Sequence, residues 1–261
     1  MKYLVPLVAV AALLPVLCNA NPDPATQRPM LTAPHVARLS YVSHQGYSAA
    51  IDDVALVPRW VMYSLKGEVV AGCVKRHDNF HAEAQLMAAR HAAPDDYAGS
   101  GYDKGHMAPA DDFTLDAGEM SDSFSMANMA PQLPGLNRAQ WEHLEETVRA
   151  WAMARGELTI YVGPVLPPRP ATIGADRVAV PSAFWKVIVD PTQQQALAFI
   201  MPQQAIAKGD LRPWEATVAD VQQAAGIELP LPATINRMTK PALWPASITG
   251  YRREHKLNCG G

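Results

Sequence analysis

The stretch YDKGHMAP, residues 102–109, places an acid, a cation, a glycine and a histidine at consecutive positions from Asp103 to His106. Gly105 permits an unusual backbone dihedral angle or a close approach of another chain segment. Asp103 lies near enough in sequence to fix the tautomer of the His106 imidazole. This stretch alone leaves two interpretations open: a solvated loop in which the histidine lies beside charges, or the base of a catalytic site.

A second polar stretch, NMAPQLPGLN at residues 128–137, leads into an amphipathic helix that is predicted over residues 136–156. The apolar side chains of this segment recur at spacings of three and four residues, as they do on one face of a helix. Asn137 is placed to cap the helix, Gln140 has the spacing of a capping box, and Gly156 follows the helix end.

Asn137 also suits a metal site. An amide oxygen is a hard ligand of the kind that Mg²⁺ accepts, and Mg²⁺ usually keeps most of its waters in protein sites. Glu145 follows about two helical turns after Asn137 and therefore falls near the same face. Together with His106, these residues would make a sparse hydrolytic metal site.

The remaining elements indicate an α+β chain. Stretches rich in β-branched and aromatic residues predict five strands, at 59–65, 69–74, 158–165, 178–190 and 196–202. We expect the first two and the last two to form hairpins, and we expect a second helix over residues 213–226, beginning at Pro213 and ending at Gly226. Several strands and few helices without strict alternation favour a central antiparallel sheet flanked by helices.

The N-terminal segment, residues 1–20, has a lysine, an apolar run and small residues, which predicts a secretory signal peptide cleaved after Ala20. A lipoprotein signal centred on Cys18 is less favoured because Leu17 occupies a position that requires a small residue. Residues 21–44 are expected to form a loose leader and residues 45–261 a single domain in the periplasm or outside the cell. No later stretch has the roughly 20 apolar residues of a membrane span, so we expect no stable membrane association.

Cys73 and Cys259 remain after removal of this signal. In an oxidising compartment such a pair suggests one disulfide, and two buried free thiols are the alternative. The net charge of −3 argues against a nucleic-acid-binding protein, although a basic cleft can exist on an acidic surface.

Three blocks of sequence together resemble the DNA/RNA non-specific endonuclease family of ββα-metal nucleases. These blocks are GYDKGHMAPADDF, then NMAPQLPGLNRAQWEHLE, then YVGPV followed by VPSAFWKVIVD. The resemblance covers about residues 45–225. It implies a ββα-metal active-site motif that hydrolyses phosphodiester bonds of both DNA and RNA with one hydrated Mg²⁺, or Mn²⁺ as a substitute, and leaves 5′-phosphate products.

The resemblance also implies roles for individual residues. The general base of the family's D-R-G-H motif falls on His106, and the metal-binding asparagine of its L-N motif falls on Asn137. The asparagine that supports the site falls on Asn128, and the glutamate that orients water on the metal falls on Glu145.

Two cationic positions match the family less closely. A phosphate-contacting arginine matches Arg76, with Arg59 as the alternative. The arginine that usually follows the aspartate of the motif is Lys104 here, and lysine lacks the planar fork that holds two phosphate oxygens. We therefore expect the substitution to lower the rate more than to abolish activity.

Three other functions are consistent with parts of the sequence. A nuclease fold that binds nucleic acid without cleaving it would explain the net acidity and Lys104. A zinc enzyme would use His77, His81 and His91, although no H-E-x-x-H pattern is present and a solvated segment explains them as well. A nuclease effector would require an inhibitor or immunity protein, and the sequence identifies neither that partner nor the oligomeric state.

Overall fold

The computed structural model describes residues 28–32, 38–86 and 90–260, so the predicted signal peptide lies outside the described residues. The strands are β1 Met30–Leu31, β2 Leu39–Ser43, β3 Tyr47–Asp52, β4 Pro58–Lys66, β5 Asp103–His106, β6 Met129–Gln132, β7 Glu157–Val165, β8 Thr172–Ile173, β9 Val178–Ala179, β10 Ala183–Asp190, β11 Gln195–Pro202, β12 Glu215–Ala216 and β13 Ile227–Glu228. The helices are α1 Ala117–Asp122, α2 Glu142–Arg155, α3 Val218–Ala225 and α4 Ile248–Cys259.

A seven-stranded antiparallel sheet forms the centre of the fold, in the order β12-β11-β10-β7-β4-β3-β2. This confirms the predicted α+β class and the predicted strands at 59–65, 158–165 and 196–202. The β10–β11 hairpin is also confirmed, although residues 178–190 divide into the short β9 and the longer β10. Among the described residues no helix is long and apolar enough to cross a membrane.

The sheet buries a different apolar cluster on each face. Along β10, Phe184 and Ile188 belong to the cluster that includes side chains of α2, whereas Trp185 and Val187 belong to the cluster that includes side chains of α3. This division follows from the alternation of side chains along a strand. The result is a sheet covered on both faces.

The strands β5 and β6 form a separate antiparallel hairpin, and the buried side chains of β6 belong to the same apolar cluster as those of α2. In this hairpin Asp103 pairs with Gln132 and His106 pairs with Met129. Gly105 is required here because a Cβ atom at this position would lie 2.4 Å from Gln132 Oε1. The hairpin and α2 constitute the predicted ββα motif.

The prediction of a strand at 69–74 is wrong. The chain forms a 3₁₀ helix at Gly67–Ala71 instead. Both edges of β4 are already paired, with β3 on one side and β7 on the other, so β4 has no free edge for a hairpin partner. Val69 is buried in the apolar cluster that includes α2.

The predicted starts of both helices require correction. Residues Leu136–Trp141 form a π-helical stretch, and α2 begins only at Glu142. Asn137 does not cap this helix, and the buried Gln140 side chain bonds backbone groups of Gly209 and Asp210 instead of completing a capping box.

The second predicted helix starts later than expected. Pro213 belongs to a 3₁₀ turn at Arg212–Trp214, and α3 begins after Thr217, whose side chain forms a capping box with Asp220. The predicted ends are confirmed for both helices, because Gly156 and Gly226 follow α2 and α3 with φ angles of 100° and 64°.

Part of the predicted leader belongs to the fold. The strand β2, Leu39–Ser43, forms one edge of the central sheet, and β1 pairs with β13. The sheet therefore includes residues that precede the expected boundary at residue 45. The expected disulfide is present between Cys73 and Cys259, with a Cα–Cα distance of 5.3 Å, and joins α4 to the segment after the 3₁₀ helix.

Candidate active site

A cleft of about 470 Å³ opens between the β5–β6 hairpin and the start of α2. Five of the residues predicted to act in the site line it, namely Arg76, Lys104, His106, Asn137 and Glu145. These side chains come from a loop, a strand, a π-helical stretch and a helix. The tertiary structure therefore brings together residues that are far apart in sequence.

His106 is buried at the inner end of the cleft, with only 8% of its surface exposed. Its Nε2 atom has no hydrogen-bond partner among the described residues, whereas the ring bonds the backbone of Lys104. The backbone bond therefore involves the other ring nitrogen, which donates to the carbonyl. Nε2 then carries a free lone pair, which is the arrangement that a general base requires.

Burial keeps the His106 imidazole neutral. Desolvation, reinforced by the positive charge of Arg76, lowers the pKa of His106 to about 3. The rings of Phe80 and Phe124 contribute to this apolar environment, with centroids 5.6 and 5.0 Å from the imidazole. Aromatic packing also restricts the orientation of the ring.

Asp103 does not fix the imidazole, contrary to expectation. Its carboxylate accepts a hydrogen bond of 2.9 Å from Asn137 Nδ2 and two hydrogen bonds from the guanidinium of Arg138. Arg138, which was not predicted from the sequence, also lines the cleft. Its position directly after Asn137 was the only signal for it.

This contact determines which way the Asn137 amide faces. A carboxylate only accepts hydrogen bonds, so the amide presents its nitrogen to Asp103 and its Oδ1 atom is left for another partner. Among the described residues no donor bonds Oδ1. A neutral oxygen in a polar cleft fits a hydrated Mg²⁺ or Mn²⁺ ion, which needs few protein ligands.

Asn128 lies behind the cleft and not in it. Its amide is fully buried, accepts from Ala108 N at 2.9 Å and donates to the carbonyl oxygens of Ala108 and Ser123, each at 2.8 Å. Asn128, which was expected to support the site, is therefore not among the residues that line the cleft. It fixes the backbone that follows His106.

The structure distinguishes the two arginine candidates. Arg76 lines the cleft, where its Nε atom lies 2.7 Å from Asp78 and its guanidinium carbon 5.1 Å from the Phe124 ring centroid. Arg59 instead donates to Ala225 O, and it lines a different cavity. Arg76 is therefore the arginine that can reach a ligand in this cleft.

Lys104 is a cation without an ion-pair partner among the described residues. Its Nζ atom lies over the rings of Phe80 and Tyr97, 4.9 and 5.9 Å from their centroids. Cation–π contacts of this kind leave the ammonium free to bind an anion. Lys104 can thus supply charge, though not the bidentate geometry of arginine.

Glu145 lies at the boundary between the cleft and a buried set of charged groups. The ammonium group of Lys186 lies 3.6 Å from its Oε1 atom, and burial raises the pKa of Glu145 to about 7. The sequence patterns predicted no role for Lys186. A single charged residue in the otherwise apolar strand FWKVIV was the available signal.

The histidines proposed for zinc do not form a metal site. Among residues 28–32, 38–86 and 90–260, no group of three or more His, Cys, Asp or Glu side chains could hold a metal ion. The Nδ1 atom of His81 lies 2.8 Å from the backbone oxygen of Asn79. A hydrated ion on Asn137 does not depend on such a cluster, because water supplies most of its ligands.

Comparison with known proteins gives consistent similarities. A family model described as DNA/RNA non-specific endonuclease matches residues 32–232. Mitochondrial endonuclease G of Bos taurus is 30% identical over 239 residues, which represent 84% of this chain and 78% of that protein.

Mitochondrial nuclease EXOG of Mus musculus is 28% identical over 202 residues, which represent 70% of this chain and 55% of that protein. The chain therefore spans about half the length of this relative. Among solved structures, a chain of the EndoG/EndoGI complex, a crystal structure concerned with EndoG inhibition, matches with a TM-score of 0.70 and 30% identity. That match covers 77% of this chain and 89% of the other.

Proposed function

We propose a function for this chain from one premise, which is that it belongs to the DNA/RNA non-specific endonuclease family. The proposed activity is hydrolysis of phosphodiester bonds within DNA and RNA, with products that carry a 5′-phosphate. The observation that carries this proposal is the cleft, which brings His106, whose Nε2 atom has no hydrogen-bond partner among the described residues, together with Asn137, Arg76 and Lys104.

His106 is proposed to accept the proton of the attacking water. Water is a poor nucleophile at neutral pH, so removal of its proton as attack begins lowers the barrier. The neutral imidazole has a free lone pair on Nε2, and the backbone of Lys104 holds its other nitrogen. The residue can therefore take up a proton without first losing one.

Asn137 Oδ1 is proposed to hold a hydrated Mg²⁺ or Mn²⁺ ion. When bound, the ion supplies positive charge for the phosphoryl and leaving oxygens as negative charge develops on them. Glu145 accepts hydrogen bonds from water in the same cleft. Asp103 keeps the amide of Asn137 in the orientation that this binding requires.

Arg76 and Lys104 are proposed to bind the phosphates of the substrate. Both line the cleft, and contacts to phosphates position a nucleic acid without reading its sequence. Cleavage with little sequence preference is therefore expected.

We propose that the protein acts after export, in the periplasm or outside the cell. The Cys73–Cys259 disulfide supports this location, because structural disulfides form in oxidising compartments.

The function is tested with the chain from Asn21 onward, incubated with plasmid DNA and with RNA. Degradation of both polymers is expected with Mg²⁺ or Mn²⁺ and not with excess chelator, and His106→Ala serves as the inactive control. The product ends are tested by labelling with a polynucleotide kinase, which requires a free 5′-hydroxyl. Labelling only after phosphatase treatment would identify 5′-phosphate ends. Binding of both polymers without cleavage would support the alternative of a non-catalytic binding protein and overturn the proposal.

A further inference from the structure

A buried lysine lies beside the cleft and has no role in the function described above. Lys186 is completely buried in the middle of β10, on the face of the sheet that carries Phe184 and Ile188. Its Nζ atom makes no hydrogen bond to any described residue. A buried ammonium group is costly unless an opposite charge compensates it, so its partner is informative.

Two groups lie close to the Lys186 ammonium. Glu145 Oε1 is 3.6 Å from Nζ, and the centroid of the Trp141 ring is 4.9 Å from it. Glu145 belongs to α2, whereas Lys186 belongs to the central sheet. The ion pair therefore connects the helix that lines the cleft to the central sheet.

Other nearby charges are already paired. Asp112 accepts hydrogen bonds from Arg149 at 2.9 Å and from Tyr63 at 2.8 Å, and all three side chains are buried. Because Arg149 is paired with Asp112, Glu145 is the carboxylate that pairs with Lys186. The positions of these side chains therefore determine that Lys186 pairs with Glu145.

We infer that Lys186 is a positioning residue, whose ammonium group holds the carboxyl group of Glu145 at the inner wall of the cleft and favours its ionised form. The inference rests on the proposed function, in which Glu145 acts on water in that cleft. Burial would otherwise favour the protonated acid, and the charged groups that face Glu145 are Lys186, Arg149, Asp112 and Asp111. The positive charges of Lys186 and Arg149 favour the ionised carboxylate, whereas the two aspartates favour the protonated acid.

The first test measures the protonation of Glu145 directly, without reference to activity. The infrared carboxyl bands of the wild type and of Lys186→Met are compared, and Glu145→Gln identifies the band of this residue. The midpoint of its titration is expected to move upward by about 1–3 pH units in Lys186→Met and to stay close to the wild type in Lys186→Arg. An unchanged midpoint in Lys186→Met would overturn the inference.

The second test is a double-mutant cycle on stability, which remains informative when one single variant folds poorly. Each single change leaves a buried charge without its partner, whereas Lys186→Met combined with Glu145→Gln removes both charges. The double variant is therefore expected to melt higher than the less stable single variant. Strictly additive losses of stability would contradict the pairing.

The third test separates this inference from the proposed function. In nuclease assays, Lys186→Met should lower kcat when it is introduced into the wild type. When it is introduced into Glu145→Gln, it should lower kcat little further. Lys208→Met is the matched control, because Lys208 pairs with Glu142 at 2.8 Å in a half-exposed position. If the wild type is inactive but Lys186→Met shifts the titration of Glu145, the proposed function is refuted and the inference stands. If the wild type is active but Lys186→Met leaves that titration unchanged, the inference is refuted and the function stands.

Discussion

The amide nitrogen of Asn137 donates to the carboxylate of Asp103 across 2.9 Å, so the π-helical stretch before α2 is joined directly to the strand that carries His106. This bond orients the amide with its oxygen available to the cleft. It also replaces the helix-capping role that the sequence predicted for Asn137. The two sequence motifs are therefore connected by one side-chain contact, and the consequences can be measured.

Asn137→Ala is expected to abolish activity at ordinary Mg²⁺ concentrations and to regain part of it at high concentrations, because the variant lacks the proposed metal ligand. The melting temperature should stay close to that of the wild type, since no helix cap is lost. Calorimetric metal titration and thermal unfolding test both statements. A loss of about 1 kcal/mol of stability would indicate a capping role after all.

His106→Ala is expected to reduce turnover by a factor of about 10²–10⁴ or more, because the proton acceptor is removed. Metal affinity should be nearly unchanged, since His106 is not a proposed ligand. Turnover is measured at saturating metal, and affinity is measured separately by titration. If this variant loses metal binding while Asn137→Ala keeps it, the two roles are assigned the wrong way round.

The buried neutral His106 is expected to make the fold sensitive to acid. Its pKa is about 3 in the folded chain, below the ordinary value of 6.5, so the unfolded chain binds the proton more tightly. The contribution of His106 to stability is thus fully present above pH 6.5 and is lost as the pH drops from 6.5 towards 3. Between pH 7.5 and 4.5 this amounts to about 2–3 kcal/mol.

Urea unfolding at both pH values, in the wild type and in His106→Ala, tests this statement. The variant should lose less stability on acidification than the wild type does. Equal losses in the two proteins would show that other groups cause the acid sensitivity.

Gly105→Ala is expected to destabilise the β5–β6 hairpin. The added Cβ would lie 2.4 Å from Gln132 Oε1 and 2.6 Å from Gln132 Cβ, so the strands must shift apart. Overpacking of this kind costs about 1–3 kcal/mol, and displacement of His106 should lower turnover as well. Gly209→Ala is the matched control, because its nearest neighbour would be 4.0 Å away. Similar melting temperatures for both variants would refute the steric argument.

Reduction of the Cys73–Cys259 disulfide is expected to destabilise the protein strongly. The bond closes a loop with a sequence separation of 186 residues. The chain-entropy model assigns about 5 kcal/mol to so long a loop. Denaturant unfolding of Cys73→Ser/Cys259→Ser against the wild type measures the difference. An equal midpoint in both proteins would mean that the bond contributes little.

Part of this structure could be read from local sequence. The strands at 59–65, 158–165 and 196–202 follow from side-chain composition, and Gly156 and Gly226 mark helix ends because few other residues tolerate positive φ angles. These signals work because the preferences are local. The hairpin assigned to 69–74 failed because the edges of β4 are taken by strands from elsewhere in the chain.

The candidate site divides in the same way. By itself, the sequence determined the identity and order of the groups that could carry the chemistry, including His106, Asn137 and Glu145. Only the tertiary structure decided that Asp103 orients Asn137 and that Lys186 faces Glu145 from the sheet. The reason is physical: local preferences act over a few residues, whereas the partner of a buried polar group depends on which distant segments pack against it.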